Sequence, residues 1–260
     1  MEIWQSILIA TAIGLASGAI GSFIVLRRMS LVGDALSHVA LPGIALALAY
    51  GIDPFLGVLV FLLCAVIVVW WLEDKTSLPT DALVGILFTG SLAVGILTIP
   101  DREIIESLFG AFPEMSATTL ILTLVATFII SILIFYLTRK FLFLTLSREL
   151  ATIQGIGSKE QLVLLVIFAF VVALGIKLVG TLLMGALTII PALVAKNICR
   201  SMRSFILVSS LIGVFIAVLG VILAGSFNLL PGPVIIILGV ILFLLSTPFA
   251  KGYSYVSIFK

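Results

Sequence analysis

The sequence predicts an all-α fold, a polytopic transmembrane bundle of about nine spans, with eight as the alternative count. Of its 260 residues, 62% are hydrophobic and only 10% are charged, whereas a soluble domain has about half and about a quarter. The mean hydropathy is +1.41. Apolar stretches recur along the whole chain at close to the roughly 20 residues that cross a bilayer. These observations indicate a single membrane domain over residues 1–260.

Charged residues and Pro/Gly punctuation divide the chain into successive spans. Arg27 and Arg28 end the first, Pro54 opens the third, and Arg139 and Lys140 end the fifth. Several spans are short, and the stretch 162–195 can be divided in more than one way. In order, the predicted spans are 3–26, 33–50, 54–72, 82–99, 116–138, 162–178, 179–195, 204–226 and 230–249.

A small residue at every fourth position marks the first span. Ala10, Gly14, Gly18 and Ser22 share one face, which allows another helix to approach closely. We interpret this stripe as a packing surface and not as a chemical site.

The lysines and arginines predict the orientation. Nine spans create two sets of flanks, and only Arg102 and Lys177 fall on one of them. Positive charge concentrates on the cytoplasmic side, so the N-terminus is predicted outside and the C-terminus inside. The inner set consists of Arg27, Arg28, Lys75, Arg139, Lys140, Arg148, Lys159, Lys196, Arg200, Arg203, Lys251 and Lys260.

The net charge and the two cysteines also limit the classes of protein to which the chain can belong. The net charge of +2 and the lack of a long basic run argue against nucleic-acid binding. The two cysteines, Cys64 in an apolar run and Cys199 beside a basic cluster, are expected at opposite depths as free thiols.

The second span carries an ionisable pair, Asp34 and the chain's single histidine, His38. Their i, i+4 spacing places both on one helix face, roughly 9 and 15 Å deeper than Arg28. A carboxylate in hydrocarbon costs at least about 2.5 kcal/mol, so the pair should face protein or a wet cavity. It could hold half of a divalent-metal site or relay a proton. Alternatively, Asp34 caps the helix or pairs with an arginine, while His38 bonds a carbonyl.

Two prolines fall inside predicted spans. Pro42 lacks an amide hydrogen and cannot bond the carbonyl of His38, which is freed toward whatever the pair faces. Pro191 similarly removes the bond to the carbonyl of Leu187 and predicts a kink or broken helix. Such a kink lines a pathway or serves as a hinge, or it is simply a packed structural feature.

The longest predicted inner connection covers residues 139–161. Within it, the stretch from Ser147 to Gly155 is typical of a short capped helix: Ser147 can cap it, Glu149 lies in the first turn and Gly155 suits the C′ position. The alternative is a plain solvated loop.

Four stretches, in matching order, resemble the ABC-3 permeases, the membrane subunits of bacterial zinc and manganese importers. They are LRRMSLVGDALSHVALPGIALA, LSRELATIQGI, LVGTLLMGALTIIPALVAKNI and NLLPGPVIIILGVILFLLS. The chain departs from the family pattern at Ser147 and Arg148, where the loop motif usually reads Asp-Pro. A third departure is Ala111, which follows the Phe-Gly that the family commonly continues with Asp or Asn.

The resemblance implies a location in the plasma membrane of a prokaryote, a fold like the type II importers, and a homodimer whose pathway follows the dimer axis. It implies two cytoplasmic ATP-binding subunits, which hydrolyse ATP, and an extracytoplasmic metal-binding protein. Asp34 and His38 would line the pathway of the zinc or manganese ion. Glu149, Ala151 and Gly155 would belong to the coupling helix. No permanently bound cofactor is implied, and the chain is expected not to be an enzyme, because it contains no G-x-x-x-x-G-K-[ST] sequence.

Two other classes compete with an importer subunit. A secondary transporter could use Asp34 and His38 as a proton relay, but more ionisable groups and a midplane repeat would be expected. An intramembrane enzyme is disfavoured because one histidine cannot assemble a His-rich catalytic metal site.

Overall fold

The structure, a computed structural model, describes residues 3–76, 78, 80–98, 108–110, 116–146 and 153–250. Within those ranges every regular element is helical, as predicted, and most of the predicted spans lie largely within one α-helix. The helices are α1 (Ile3–Leu26), α2 (Ser30–Ala49), α3 (Pro54–Thr76), α4 (Thr80–Thr98), α5 (Ala117–Leu146), α6 (Ser158–Val179), α7 (Met184–Ile198), α8 (Met202–Phe227) and α9 (Pro231–Ser246), followed by a short 3-10 turn (Thr247–Phe249).

Helix α5 is longer than the predicted fifth span. It continues to Leu146 instead of ending at residue 138, because residues 139–146 contain neither Pro nor Gly. The extension is also packed: the ring of Phe141 is fully buried and meets that of Phe23 edge to face at 5.4 Å. Helix α6 begins at Ser158 rather than at 162. Helices α5 and α6 therefore extend into both ends of the predicted inner connection.

The division between the sixth and seventh spans also differs from the prediction. Helix α6 runs to Val179, and α7 begins only at Met184. Gly180 separates them with φ +87°, a conformation that side chains of L-residues rarely adopt. Helix α7 has 15 residues and is about 22 Å long, shorter than a hydrocarbon core of about 30 Å.

Seven of the described helices are long and apolar enough to cross a membrane. Two further apolar stretches, Ala82–Gly95 in α4 and Met184–Ile198, are shorter. Nine crossings, and the orientation of the termini, therefore stay predictions.

Helix α1 is a central element of the bundle, and its small-residue stripe packs as predicted. A methyl group on Gly14 would lie 2.5 Å from the carbonyl oxygen of Gly213 in α8. Four residues later, Ser209 Oγ donates a hydrogen bond of 2.6 Å to the carbonyl of Gly18. Small side chains thus let two backbones touch, the usual device of helix contacts in membranes.

Helix α2 lies against α3, α4 and α7. Its crossing with α3 is a glycine contact, since a methyl group on Gly43 would lie 2.5 Å from the carbonyl oxygen of Gly57. Helices α5 and α9 are peripheral and expose large apolar side chains, among them Phe128 and Leu245. Both cysteines are free as predicted, Cys64 exposed and Cys199 buried.

Candidate functional site

The ionisable pair lies in the interior of α2. The helix begins at Ser30, with Met29 in the N-cap position, so Asp34 is in the second turn. The alternative that Asp34 caps the helix is therefore wrong, because a capping side chain serves the amides of the first turn.

Asp34 and His38 lie beside each other without a hydrogen bond between them. Asp34 Oδ1 is 4.0 Å from His38 Nε2, and the side chains are 49% and 5% exposed, respectively. A hydrogen bond would require about 2.7–3.2 Å. The carboxylate therefore keeps acceptor capacity on its exposed side, and the buried imidazole lies beside it.

The imidazole of His38 is held by an aromatic contact. Its ring meets that of Phe88 in α4 edge to face, with centroids 4.9 Å apart. Nδ1 is buried, and among the described residues no group hydrogen-bonds to it. A buried polar atom without a partner needs a physical reason, of which a bound ion or water is one. Packing thus positions the ring, and Nε2 is the nitrogen that faces the carboxylate of Asp34.

Backbone contact with α7 fixes the position of Asp34. A methyl group on Gly185 would lie 2.7 Å from both the amide nitrogen and the Cα of Asp34. Gly33 is less tightly confined, because its own methyl group would lie 3.2 Å from the ring of Phe168, a side chain that can shift. The sequence analysis missed Gly185, since no local pattern links a glycine in α7 to an aspartate some 150 residues earlier.

We expect Gly185→Ala to lower metal uptake about tenfold or more, because α7 and α2 must separate and displace the carboxylate. Uptake into cells or vesicles, normalised to the amount of inserted protein, measures this. The matched control is Gly85→Ala in α4, where an added methyl group meets nothing within 4 Å. Equal uptake by both variants would show that this close approach is unimportant.

The pair alone cannot complete a metal site. In the parts of the chain that the structure covers, no group of three or more His, Cys, Asp or Glu side chains comes together. Two ligands of a tetrahedral zinc ion stand about 3.4 Å apart, so the observed 4.0 Å needs only a small side-chain rotation. The arrangement fits two ligands of one ion, and any further ligands would be water, other oxygen atoms of the chain, or groups outside the described residues.

Apolar side chains cover α2 one to two turns beyond the pair, toward the predicted outer end. Leu41 and Ala45 follow His38 at i+3 and i+7, and both are buried. They pack with Leu92 and Leu108 in a cluster separate from the main core. We call these four residues the outer apolar cluster; it lies on the helix face that bears the pair.

The two predicted prolines lie inside helices. Pro42 is in α2 and Pro191 is in α7, and both are buried. Their roles as kinks or hinges of a pathway stay predictions.

The predicted coupling segment is only partly covered. Glu149 and Ala151 lie outside the described residues, as do Ser147, Arg148 and Ala111. Gly155 adopts φ +68° directly after a helical residue and a turn. This left-handed conformation is the one expected at a C′ position.

Comparison with known proteins gives consistent relatives. The manganese import system permease protein ScaB of Streptococcus parasanguinis is 32% identical, over 93% of this chain and 88% of the relative. The high-affinity zinc uptake system membrane protein ZnuB of Haemophilus influenzae is 30% identical, over 94% and 96%. A chain of PsaBC from Streptococcus pneumoniae, solved in complex with Fab, superposes with a TM-score of 0.84 and 32% identity, covering 97% of this chain and 94% of that one.

The family comparison covers nearly the whole chain. Residues 2–250 match the family described as ABC 3 transport family, and the four motifs quoted from the sequence lie inside that range. The long apolar helices agree with a multi-pass membrane protein. The chain belongs to the ABC 3 transport family.

Proposed function

We propose that this chain is the permease subunit of an ATP-driven importer of zinc or manganese, and that Asp34 and His38 bind the ion in transit. The observation that carries the proposal is the pair itself, a half-exposed carboxylate with Oδ1 4.0 Å from Nε2 of a buried imidazole. The names of the relatives, a manganese import permease and a zinc uptake membrane protein, favour these two ions.

A homodimer supplies the missing ligands. About half of the Asp34 side chain is exposed, so a second copy across a two-fold axis can present an equivalent pair. Two carboxylates and two imidazoles then make four ligands, the number that zinc prefers, and of types that both zinc and manganese accept. A site between copies also separates when the copies move apart, which suits an ion that must be released.

In alternating access, the ion site formed by Asp34 and His38 is open to only one side of the membrane at a time. The outer apolar cluster lies between the pair and the predicted outer surface, and it excludes water when packed. The coupling segment with Glu149, Ala151 and Gly155 seats in the ATP-binding subunit. An extracytoplasmic metal-binding protein delivers the ion on the opposite side.

Reconstitution tests the function directly. The chain is purified with its ATP-binding subunit and placed in vesicles, and the metal-loaded binding protein is added outside. We expect radioactive zinc or manganese to accumulate only when ATP is hydrolysed, and chemical cross-linking to trap a dimer of this chain. Competition between the two ions identifies the preferred one.

Two outcomes would contradict the proposal. Accumulation driven by a proton gradient without ATP would favour the secondary transporter. Accumulation by a chain that stays monomeric would show that the ion does not pass along a dimer axis.

A further inference from the structure

The beginning of α6 is attached to α3 by polar side chains. Trp70 Nε1 in α3 donates to Ser158 Oγ and to the Ser158 carbonyl, at 2.6 and 2.9 Å. One turn further along both helices, Gln161 Nε2 donates to Glu73 Oε2 at 2.7 Å. Gln161 is only 7% exposed, so this amide–carboxylate bond is partly buried. We call these four residues the α3–α6 clamp.

The same end of α6 is also fixed to the preceding turn and to α5. Glu160 Oε2 accepts a hydrogen bond of 2.9 Å from the amide of Gly157. Glu160 Oε1 lies 3.7 Å from Lys140 Nζ at the projecting end of α5. The Lys140 side chain is 53% exposed, and an exposed ion pair of this kind contributes little. The partly buried hydrogen bond between Gln161 and Glu73, at 2.7 Å, is therefore a stronger contact than the ion pair.

The clamp lies between two parts of the proposed machinery. On one side, Ser158 follows Gly155 by three residues, so the clamp begins where the coupling segment ends. On the other side, α3 crosses α2 at the Gly43–Gly57 backbone contact, and α2 carries the ionisable pair. Close backbone packing transmits displacement because neither helix has flexible side chains at the crossing.

We infer that the α3–α6 clamp transmits movement of the coupling segment to α3, and through α3 to the ion-binding helix α2. This inference rests on the proposed function, because it assumes that an ATP-binding subunit moves the coupling segment. Its residues are positioning residues: they touch neither the ion nor the nucleotide. With the clamp intact, a displacement of the start of α6 carries the end of α3 with it. Without the clamp, the start of α6 is held to α3 by apolar packing alone, less of its movement reaches α3, and fewer ions are transported per ATP.

Exchange of the two bonded side chains tests the clamp. Gln161→Glu places two carboxylates against each other, and we expect the number of ions transported per ATP to fall about tenfold. The exchange variant Glu73→Gln with Gln161→Glu restores one amide and one carboxylate in opposite positions. It should return the ratio to within about twofold of the original chain. The complex with the ATP-binding subunit is reconstituted in vesicles, and both rates are measured in the same preparation.

The ratio of the two rates separates transmission from simple support of the fold. A residue that only stabilises the protein changes the amount of assembled complex and its thermal midpoint, but not the ions moved per ATP. Failure of the exchange variant to restore the ratio, with normal assembly, would overturn the inference. If the original chain moves no metal with ATP, the proposed function fails instead, and the two failures are distinguishable.

A second variant addresses the other bond of the clamp. Trp70→Phe keeps an aromatic ring but removes the donor to Ser158, and we expect a several-fold loss in ions per ATP. Trp71→Phe is the matched control, because Trp71 is the adjacent residue and its side chain is 53% exposed. An equal effect of both variants on the ratio would also overturn the inference.

Discussion

Asp34→Asn is expected to reduce metal uptake at least about 100-fold while the protein stays inserted and dimeric. The substitution keeps the size of the side chain and removes its charge, so an ion between the copies loses two negative ligands at once. Loss of a group that merely supports a metal ligand already costs about 10- to 100-fold. Uptake of radioactive zinc and manganese, corrected for membrane-inserted protein, measures the effect.

His38→Ala should give a loss of similar size, because it removes the imidazole and leaves Asp34 without its neighbour at 4.0 Å. The buried cavity beside Phe88 also lowers stability, so protein amount and dimer content are measured in the same samples. Selective loss of zinc uptake, with part of manganese uptake retained, would also agree with the site, since imidazole suits zinc and carboxylates suit manganese.

Asp53→Asn provides the matched control for the charge. Asp53 is exposed, and its Oδ1 accepts a hydrogen bond of 2.8 Å from the Phe55 amide where α3 begins. Asparagine fills this capping role equally well, so the same chemical change should leave uptake unaltered. Normal uptake by both Asp34→Asn and His38→Ala would remove the pair from the ion pathway.

Local sequence determinants predicted most of the fold. The first span coincides with α1, because Arg27 and Arg28 end an unbroken apolar run. Helix α5 continues past its predicted end at residue 138, because the charged residues 139 and 140 do not end a helix. The next residue, Phe141, packs against Phe23 and holds this part of α5 in place. The turn after α6 could not be located from hydropathy, since residues 180–183 are as apolar as their neighbours.

Only the part of the candidate site that lies on a single helix could be predicted from the sequence. The i, i+4 spacing of Asp34 and His38 is a property of α2 alone, so the sequence displays it. The contact with Phe88, the backbone approach of Gly185 and the clamp between Glu73 and Gln161 join residues distant in the chain. Such pairs leave no periodic pattern in a single sequence. Hydrophobic periodicity shows which face of a helix is apolar, but not which other helix packs against that face.

Gly155→Pro is expected to uncouple ATP hydrolysis from transport, with a fall of about tenfold or more in ions moved per ATP. Gly155 has φ +68°, whereas the proline ring fixes φ near −65°. The chain must therefore leave the predicted coupling segment in a different direction, and displacement of that segment no longer reaches Ser158. Hydrolysis and uptake by the reconstituted complex are measured together, as for the clamp variants.

A graded series at the same position separates backbone direction from loss of a contact. An added methyl group at Gly155 meets nothing within 4 Å, so Gly155→Ala introduces only the left-handed strain of roughly 1–2 kcal/mol. Asparagine tolerates this conformation better than alanine. Ions per ATP should therefore decrease in the order Gly, Asn, Ala, Pro. A different order, with alanine better than asparagine, would mean that the left-handed turn is not what matters.

Gly51→Ala shows whether the location of the strain is decisive. Gly51 has φ +65° and equally open surroundings, but it lies in the turn between α2 and α3, at the predicted outer end. Its substitution carries the same backbone penalty without touching the coupling segment. The thermal midpoint should fall as in Gly155→Ala, while ions per ATP stay unchanged. Unchanged coupling in Gly155→Pro itself, in a complex that assembles normally, would refute the assignment of this segment to the ATP-binding subunit.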